Sequence, residues 1–111
     1  MPQIKYTVTG TFNDQATAEE WIAWLRGEQI AQMVSCGATS GEITRIENPP
    51  FMVQVQYRFE SRSAFSVYQL NHGPRLRAAM LGKFPPQRGA EFARTIGTVE
   101  APARTVSSTG A

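Results

Sequence analysis

Apolar and polar residues alternate from Phe51 to Glu60, and no other feature of the sequence constrains the fold as much. Large apolar side chains occupy the odd positions, namely Phe51, Val53, Val55, Tyr57 and Phe59. Polar side chains occupy the even positions from Gln54 to Glu60. Because successive side chains of a strand point to opposite faces, this alternation predicts a strand with one face in a core. Its polar face must meet water, a partner or a ligand.

The first half of the chain predicts a strand, a helix and a second strand. Residues 4–12 alternate like residues 51–60, and apolar residues at helical spacing predict a helix from Thr17 to about Val34. Thr17 is the predicted N-cap, with Glu20 completing a capping box, and Gly37 is the predicted C-cap. Residues 40–48 alternate less cleanly, which indicates an edge strand.

The second half predicts a helix and a last strand. The helix is expected to begin at Ser61 or Ser63 and to end by Gly82. Gly73 and Pro74 should cause a kink or a restart, because proline lacks an N–H donor and restricts the residue before it. Residues 89–99 return to strand-like composition, with Phe92 and Ile96 on one face.

This order of elements predicts the fold class. Strand, helix, strand, strand, helix, strand is the order of the ferredoxin-like βαββαβ unit, an α+β fold with a four-stranded antiparallel sheet and two helices on one face. We predict a single domain over residues 1–100. Residues 101–111 are small and polar, which predicts a flexible C-terminal tail.

Composition argues against several classes of protein. No apolar run approaches the roughly 18 residues of a membrane helix, so no membrane partner is expected. The sequence begins without the apolar core of a signal peptide, so we expect a cytoplasmic location. Cys36 is the single cysteine, and neither clustered histidines nor a second cysteine supplies metal-ligand spacing. No metal site is therefore expected.

Nucleic acid is not an expected partner either. The net charge of +2 is only a weak excess of cations. RNA-binding sheets stack bases on exposed aromatic side chains, whereas the strand aromatics here alternate in phase with the residues that face the core. Cations do outnumber acids in the second half of the chain, which indicates either a solvated basic face or an anion-binding patch. They include Arg75, Arg77, Lys83, Arg88 and Arg94.

The polar sheet face predicts a homodimer. Its expected members are Lys5, Thr7, Thr9, Thr11, Gln54, Gln56 and Arg58. Two such faces can close a barrel with a semi-polar interior across a two-fold axis. The alternative is a monomer whose sheet face meets water.

Several motifs together resemble a family of small bacterial proteins known only as a domain of unknown function, within the dimeric α+β barrel proteins. They are Trp21-Ile-Ala-Trp24, Gln29-Ile30, Met33, Gly37, Val-Gln-Val-Gln-Tyr57, Tyr68, His72-Gly-Pro74-Arg-Leu-Arg77 and Phe84. The resemblance covers about residues 3–99 and implies the ferredoxin-like fold and a side-by-side dimer, but no activity. The chain departs from the family pattern at Gln29-Ile30-Ala31-Gln32, where the family usually carries His-Ile-Pro-Glu.

His72, the only histidine, is the candidate catalytic residue. It could act as a general base or, by analogy with haem oxygenases of the barrel fold, as a haem ligand. Alternatively, its ring packs beside Phe65, Tyr68 and Leu76 and bonds a carbonyl that Pro74 leaves free.

Five further residues are candidates for ligand binding. Trp21 and Trp24 could wall a pocket between helix and sheet, or could be core and interface residues. Arg75 and Arg77 could clamp a carboxylate or phosphate, or could be solvated. Tyr68 completes the set. We expect a homodimeric ligand-binding or interaction module without a cofactor; the alternative is an oxygenase-like enzyme, cofactor-independent or haem-dependent.

Overall fold

The computed structural model describes residues 2–101 and has the element order that the sequence predicts. Four strands form one antiparallel sheet in the order β2-β3-β1-β4: β1 (Ile4–Thr11), β2 (Ser40–Ile46), β3 (Met52–Phe59) and β4 (Glu91–Thr98). The ferredoxin-like α+β fold is confirmed. Apart from Ala101, the predicted tail lies outside the described residues.

Each predicted helix is divided into two. The segment after β1 consists of α1 (Gln15–Trp24), a π-helical turn (Leu25–Gln29) and α2 (Ile30–Ser35). The segment after β3 consists of α3 (Arg62–Asn71) and α4 (Gly73–Lys83), followed by a short 3₁₀ turn (Pro86–Arg88). The helical segments cover one face of the sheet, and the core lies between these two layers.

The register of the central strands confirms the alternation seen in the sequence. β1 pairs with β3 so that Ile4 lies opposite Phe59 and Val8 opposite Val55. The even positions of β1 and the odd positions of β3 therefore share the buried face. Phe51 was wrongly predicted to belong to this face: it precedes β3 in a left-handed conformation (φ 62°) and is 40% exposed, because the turn after Pro50 still includes it.

The first helix begins earlier than predicted. Asp14 is its N-cap, and its Oδ1 accepts a hydrogen bond of 2.7 Å from the Thr17 N–H, so Thr17 lies inside the first turn and is buried. The predicted capping box is wrong, since Glu20 instead pairs with Arg88 at 2.6 Å. Aspartate is at least as favourable an N-cap residue as threonine, so the helix can begin after Asp14 rather than after Thr17. Ser61 does cap α3, accepting from the Ala64 N–H at 3.1 Å.

The first helical segment ends close to the predicted Val34, with Cys36 as its C-cap and Gly37 directly after it, whereas the second runs to Lys83, one residue beyond the predicted Gly82. Gly37 (φ 119°) follows α2, and the Gly37 and Ala38 N–H groups donate to the Val34 and Met33 carbonyls, as in a Schellman motif. The second segment restarts at Gly73, and Pro74 lies in the first turn of α4, where its missing N–H donor is not needed.

Acidification should remove the Asp14 cap. The hydrogen bond from the Thr17 N–H lowers the pKa of the Asp14 carboxyl below its ordinary 3.8. Since the folded pKa is lower than the unfolded one, the cap stabilises fully above the unfolded pKa and is lost as pH falls through the folded pKa. Asp14→Ser keeps a cap that does not titrate, so urea midpoints should fall less for this variant than for wild type between neutral pH and about pH 2. Equal losses in both proteins would contradict the assignment.

Candidate functional site

A cleft opens between the helices and the sheet. Its floor comes from β1 and β3, and its walls from the two helical segments and from one residue of β4. It encloses about 350 Å³ including its open mouth, but only about 20 Å³ admits the centre of a water molecule, which is room for about one water. The cleft is therefore nearly filled by its own side chains.

The cleft lining is largely apolar, with a few polar side chains. Its residues are Tyr6, Val8, Trp21, Leu25, Gln29, Met33, Val55, Tyr57, Tyr68, Leu76, Arg77, Met80 and Arg94. An apolar concavity with a few polar groups is typical of small-molecule sites.

Three of the six candidate residues meet in this cleft, namely Trp21, Tyr68 and Arg77. Trp24 and Arg75 instead line a neighbouring groove between the two helical segments, where the half-buried Trp24 ring packs 5.7 Å from that of the fully buried Phe84. His72 lies between α3 and α4 and does not line the cleft.

His72 has a neighbour of its own. Its Nδ1 lies 3.0 Å from Nη2 of Arg75, and because a guanidinium only donates, Nδ1 is the acceptor. A haem ligand at this position does not fit the cleft, since the His72 ring does not line it.

Trp21 brings an unpaired donor to the cleft. Its side chain is fully buried, with its ring 5.6 Å from that of Phe12 and 5.3 Å from that of Phe92. Within residues 2–101, Nε1 of this indole is a buried side-chain nitrogen without a hydrogen-bond partner. Such an orphaned donor costs free energy, so a ligand or a water that accepts from it would be stabilised.

Sequence reasoning missed Gln29 as a site residue. It is 9% exposed and lies in the π-helical turn, between Leu25 and Met33 on the buried helix face. Single π-helical turns occur frequently at functional sites. The available signal was a polar residue within an apolar helical stripe.

Arg94 was also not among the candidate site residues. It lies opposite Val8 in the register of β4, so it shares the helix-facing side of the sheet. The available signal was its position midway between Phe92 and Ile96, which places all three side chains on the same face of the strand.

Two tyrosines of the cleft stay neutral. Burial raises the pKa of both Tyr57 and Tyr68 well above the ordinary 10. For Tyr68 the guanidiniums of Arg77 and Arg94 oppose part of this rise in pKa. Among residues 2–101, the lining thus combines two arginines with phenols and contains no carboxylate.

Two other kinds of feature were sought in residues 2–101. Across that range no helix has the length and apolar character needed to cross a membrane. In the same range, no three histidine, cysteine or acidic side chains come together as a metal site would require.

A family model described as "Domain of unknown function (DUF4286)" matches residues 3–99. The chain belongs to the DUF4286 family. No curated protein shows a significant match to this DUF4286 sequence.

Solved structures share the fold of this DUF4286 protein at low sequence identity. A dimeric ferredoxin-like protein from an uncultured marine organism has a TM-score of 0.69 at 20% identity, covering 93% of this chain and 100% of its own. A dimeric ferredoxin-like protein of unknown function from Thermobifida fusca has a TM-score of 0.61 at 17% identity, with coverage of 88% and 92%. A monooxygenase from the gene ActVA-Orf6 of Streptomyces coelicolor, solved in complex with the ligand nanaomycin D, has a TM-score of 0.69 at 16% identity, with coverage of 95% and 94%.

Proposed function

We propose that this DUF4286 protein is a homodimeric small-molecule-binding module whose ligand occupies the cleft. The orphaned Nε1 donor of Trp21 carries the proposal, because a fully buried polar group is normally paired. The apolar lining supplies the contact area, and the few polar groups would orient the ligand. A cytoplasmic location stays a prediction from the sequence.

The homodimer is proposed to form through the sheet face that the helices leave bare. Thr7 and Gln56 lie opposite each other on its two central strands, and both are partly exposed. The Gln54 amide donates to the Thr9 hydroxyl at 3.3 Å, so part of this face is already ordered. Similar structures described as dimeric support the proposal.

Gln56→Glu tests this dimer. Near a two-fold axis the substitution brings two carboxylates into one partly desolvated interface, where like charges repel. Sedimentation at micromolar concentration should show about twice the 12.3 kDa chain mass for wild type. The dimer dissociation constant of the variant should rise about tenfold or more, equivalent to about 1.4 kcal/mol.

Gln32→Glu is the matched control for the dimer. It makes the same chemical change at an exposed position on α2, in the helix layer, and should leave the dissociation constant unchanged. A wild-type mass near that of one chain would contradict the dimer. An equal effect of both variants would contradict the choice of sheet face.

A monooxygenase-like reaction is the alternative function. Its support is the similarity to the Streptomyces coelicolor monooxygenase, together with a cleft lined largely by apolar and aromatic side chains. Because His72 does not line the cleft, we propose the cofactor-independent form of this reaction rather than the haem-dependent one. Oxygen uptake in the presence of a bound aromatic compound would favour the enzyme, and binding without uptake would favour the binding module.

A further inference from the structure

We propose that the ligand of the cleft is a small aromatic carboxylate, with its negative group bound by Arg77 and Arg94. This inference rests on the proposed function, since it names the chemistry of the molecule held in the same cleft. The charge of the lining is its first support. Among residues 2–101, two guanidiniums and no acidic side chain line the cleft, so a cation would be repelled and an anion attracted.

Acidic side chains do not neutralise the two guanidiniums. Within residues 2–101, the ion pairs are Arg45 with Glu19 and Arg88 with Glu20. Neither ion pair includes Arg77, which lies on α4, or Arg94, which lies on β4. Both residues line the same cleft, where Arg77 is half-buried and Arg94 is exposed at its rim, so their charges lie at one opening. Convergent guanidiniums are suited to a carboxylate, which accepts hydrogen bonds from each.

Gly73 makes room for one of these groups. A Cβ at position 73 would lie 3.0 Å from Nη1 of Arg77, so the guanidinium folds back over the start of α4. The side chain covers the junction of α3 and α4 and remains part of the cleft lining. This arrangement keeps the charge of Arg77 at the cleft rather than in open solvent.

The remaining lining favours an aromatic body. The ring centroid of Tyr6 lies 6.2 Å from that of Tyr57 and 6.0 Å from that of Tyr68, so the lining already packs aromatic rings together and would pack well against another. At the fully buried Trp21, the unpaired Nε1 would donate to an acceptor on the ligand. Because the unoccupied interior is so small, a ligand must displace flexible side chains, and Met33 and Met80 are the residues best able to move.

Calorimetric titration with 2-naphthoate and 2-naphthamide tests the inference. The two compounds share a ring system and differ in charge, so naphthoate should bind about tenfold more tightly. Arg77→Gln and Arg94→Gln should each weaken naphthoate binding about tenfold and change naphthamide binding much less. Thermal unfolding followed by circular dichroism verifies that each variant is folded.

Arg75→Gln is the matched control for the arginine variants. Arg75 is two residues before Arg77 on α4, is exposed and does not line the cleft, so its substitution should leave naphthoate binding unchanged. An equal loss with Arg75→Gln would overturn the assignment of the anion to the cleft. Equal affinities for naphthoate and naphthamide would overturn the charge preference while leaving the binding module intact. Failure of both compounds and of uncharged naphthalene derivatives to bind would overturn both proposals.

Discussion

Phe65→Ala is expected to lower the free energy of unfolding by about 3–5 kcal/mol. The Phe65 ring is fully buried on α3, and its centroid lies 5.4 Å from that of Tyr6, 5.1 Å from that of Phe59 and 5.9 Å from that of Tyr68. Alanine would leave a cavity among rings that cannot close it, because they are held by β1, β3 and α3. For a domain with roughly 5–15 kcal/mol of total stability, that loss is large.

Leu70→Ala is the control on the same helix. Leu70 is 81% exposed, so its truncation should change the free energy of unfolding by no more than about 0.5 kcal/mol. Urea denaturation of both variants, followed by circular dichroism, measures the difference. If Phe65→Ala costs no more than Leu70→Ala, α3 does not pack on the sheet in the way described.

Gly10→Ala should destabilise the protein by about 1–3 kcal/mol, although alanine restricts the unfolded chain more than glycine does. A Cβ at position 10 would lie 2.9 Å from Cζ of Phe12 and 3.0 Å from Cε1 of Phe92. Phe12 packs against the fully buried Trp21, so its ring has little freedom to withdraw. Glycine near the end of β1 therefore accommodates an aromatic cluster.

Gly97→Ala is the matched glycine substitution in the neighbouring strand. A Cβ there meets the Lys5 carbonyl oxygen at 3.9 Å, an ordinary contact, so the variant should range from neutral to about 1 kcal/mol more stable than wild type. Denaturant unfolding compares the two variants directly. A Gly10→Ala protein as stable as Gly97→Ala would show that the aromatic cluster shifts easily.

Much of the fold could be predicted because its signals are local. The parity of residues 53–59, the Ser61 cap and the Gly37 helix end depend on neighbours a few positions away, and all three are confirmed. The start of the first helix was missed because Asp14 and Thr17 both suit an N-cap. Choosing between them requires knowing where β1 ends.

The candidate site was only partly predictable. Trp21 and Trp24 lie close together on one flank of the first helix, yet the structure buries Trp21 beside the cleft and leaves Trp24 half-buried against Phe84, in a neighbouring groove. Local spacing does not distinguish them, because their burial depends on which element packs against each ring. Gln29 enters the lining through a π-helical turn that the sequence pattern did not predict.

The amino-acid sequence was enough to predict which strand residues face the core, since side-chain alternation follows from the covalent geometry of an extended chain. It was also enough to predict the order of elements and the break at Gly73 and Pro74. The meeting of Arg94 and Arg77 in one cleft could not be predicted in this way. That meeting depends on β4 pairing with β1, which places Arg94 opposite Val8, and such a register is set by hydrogen bonds between segments distant in the chain.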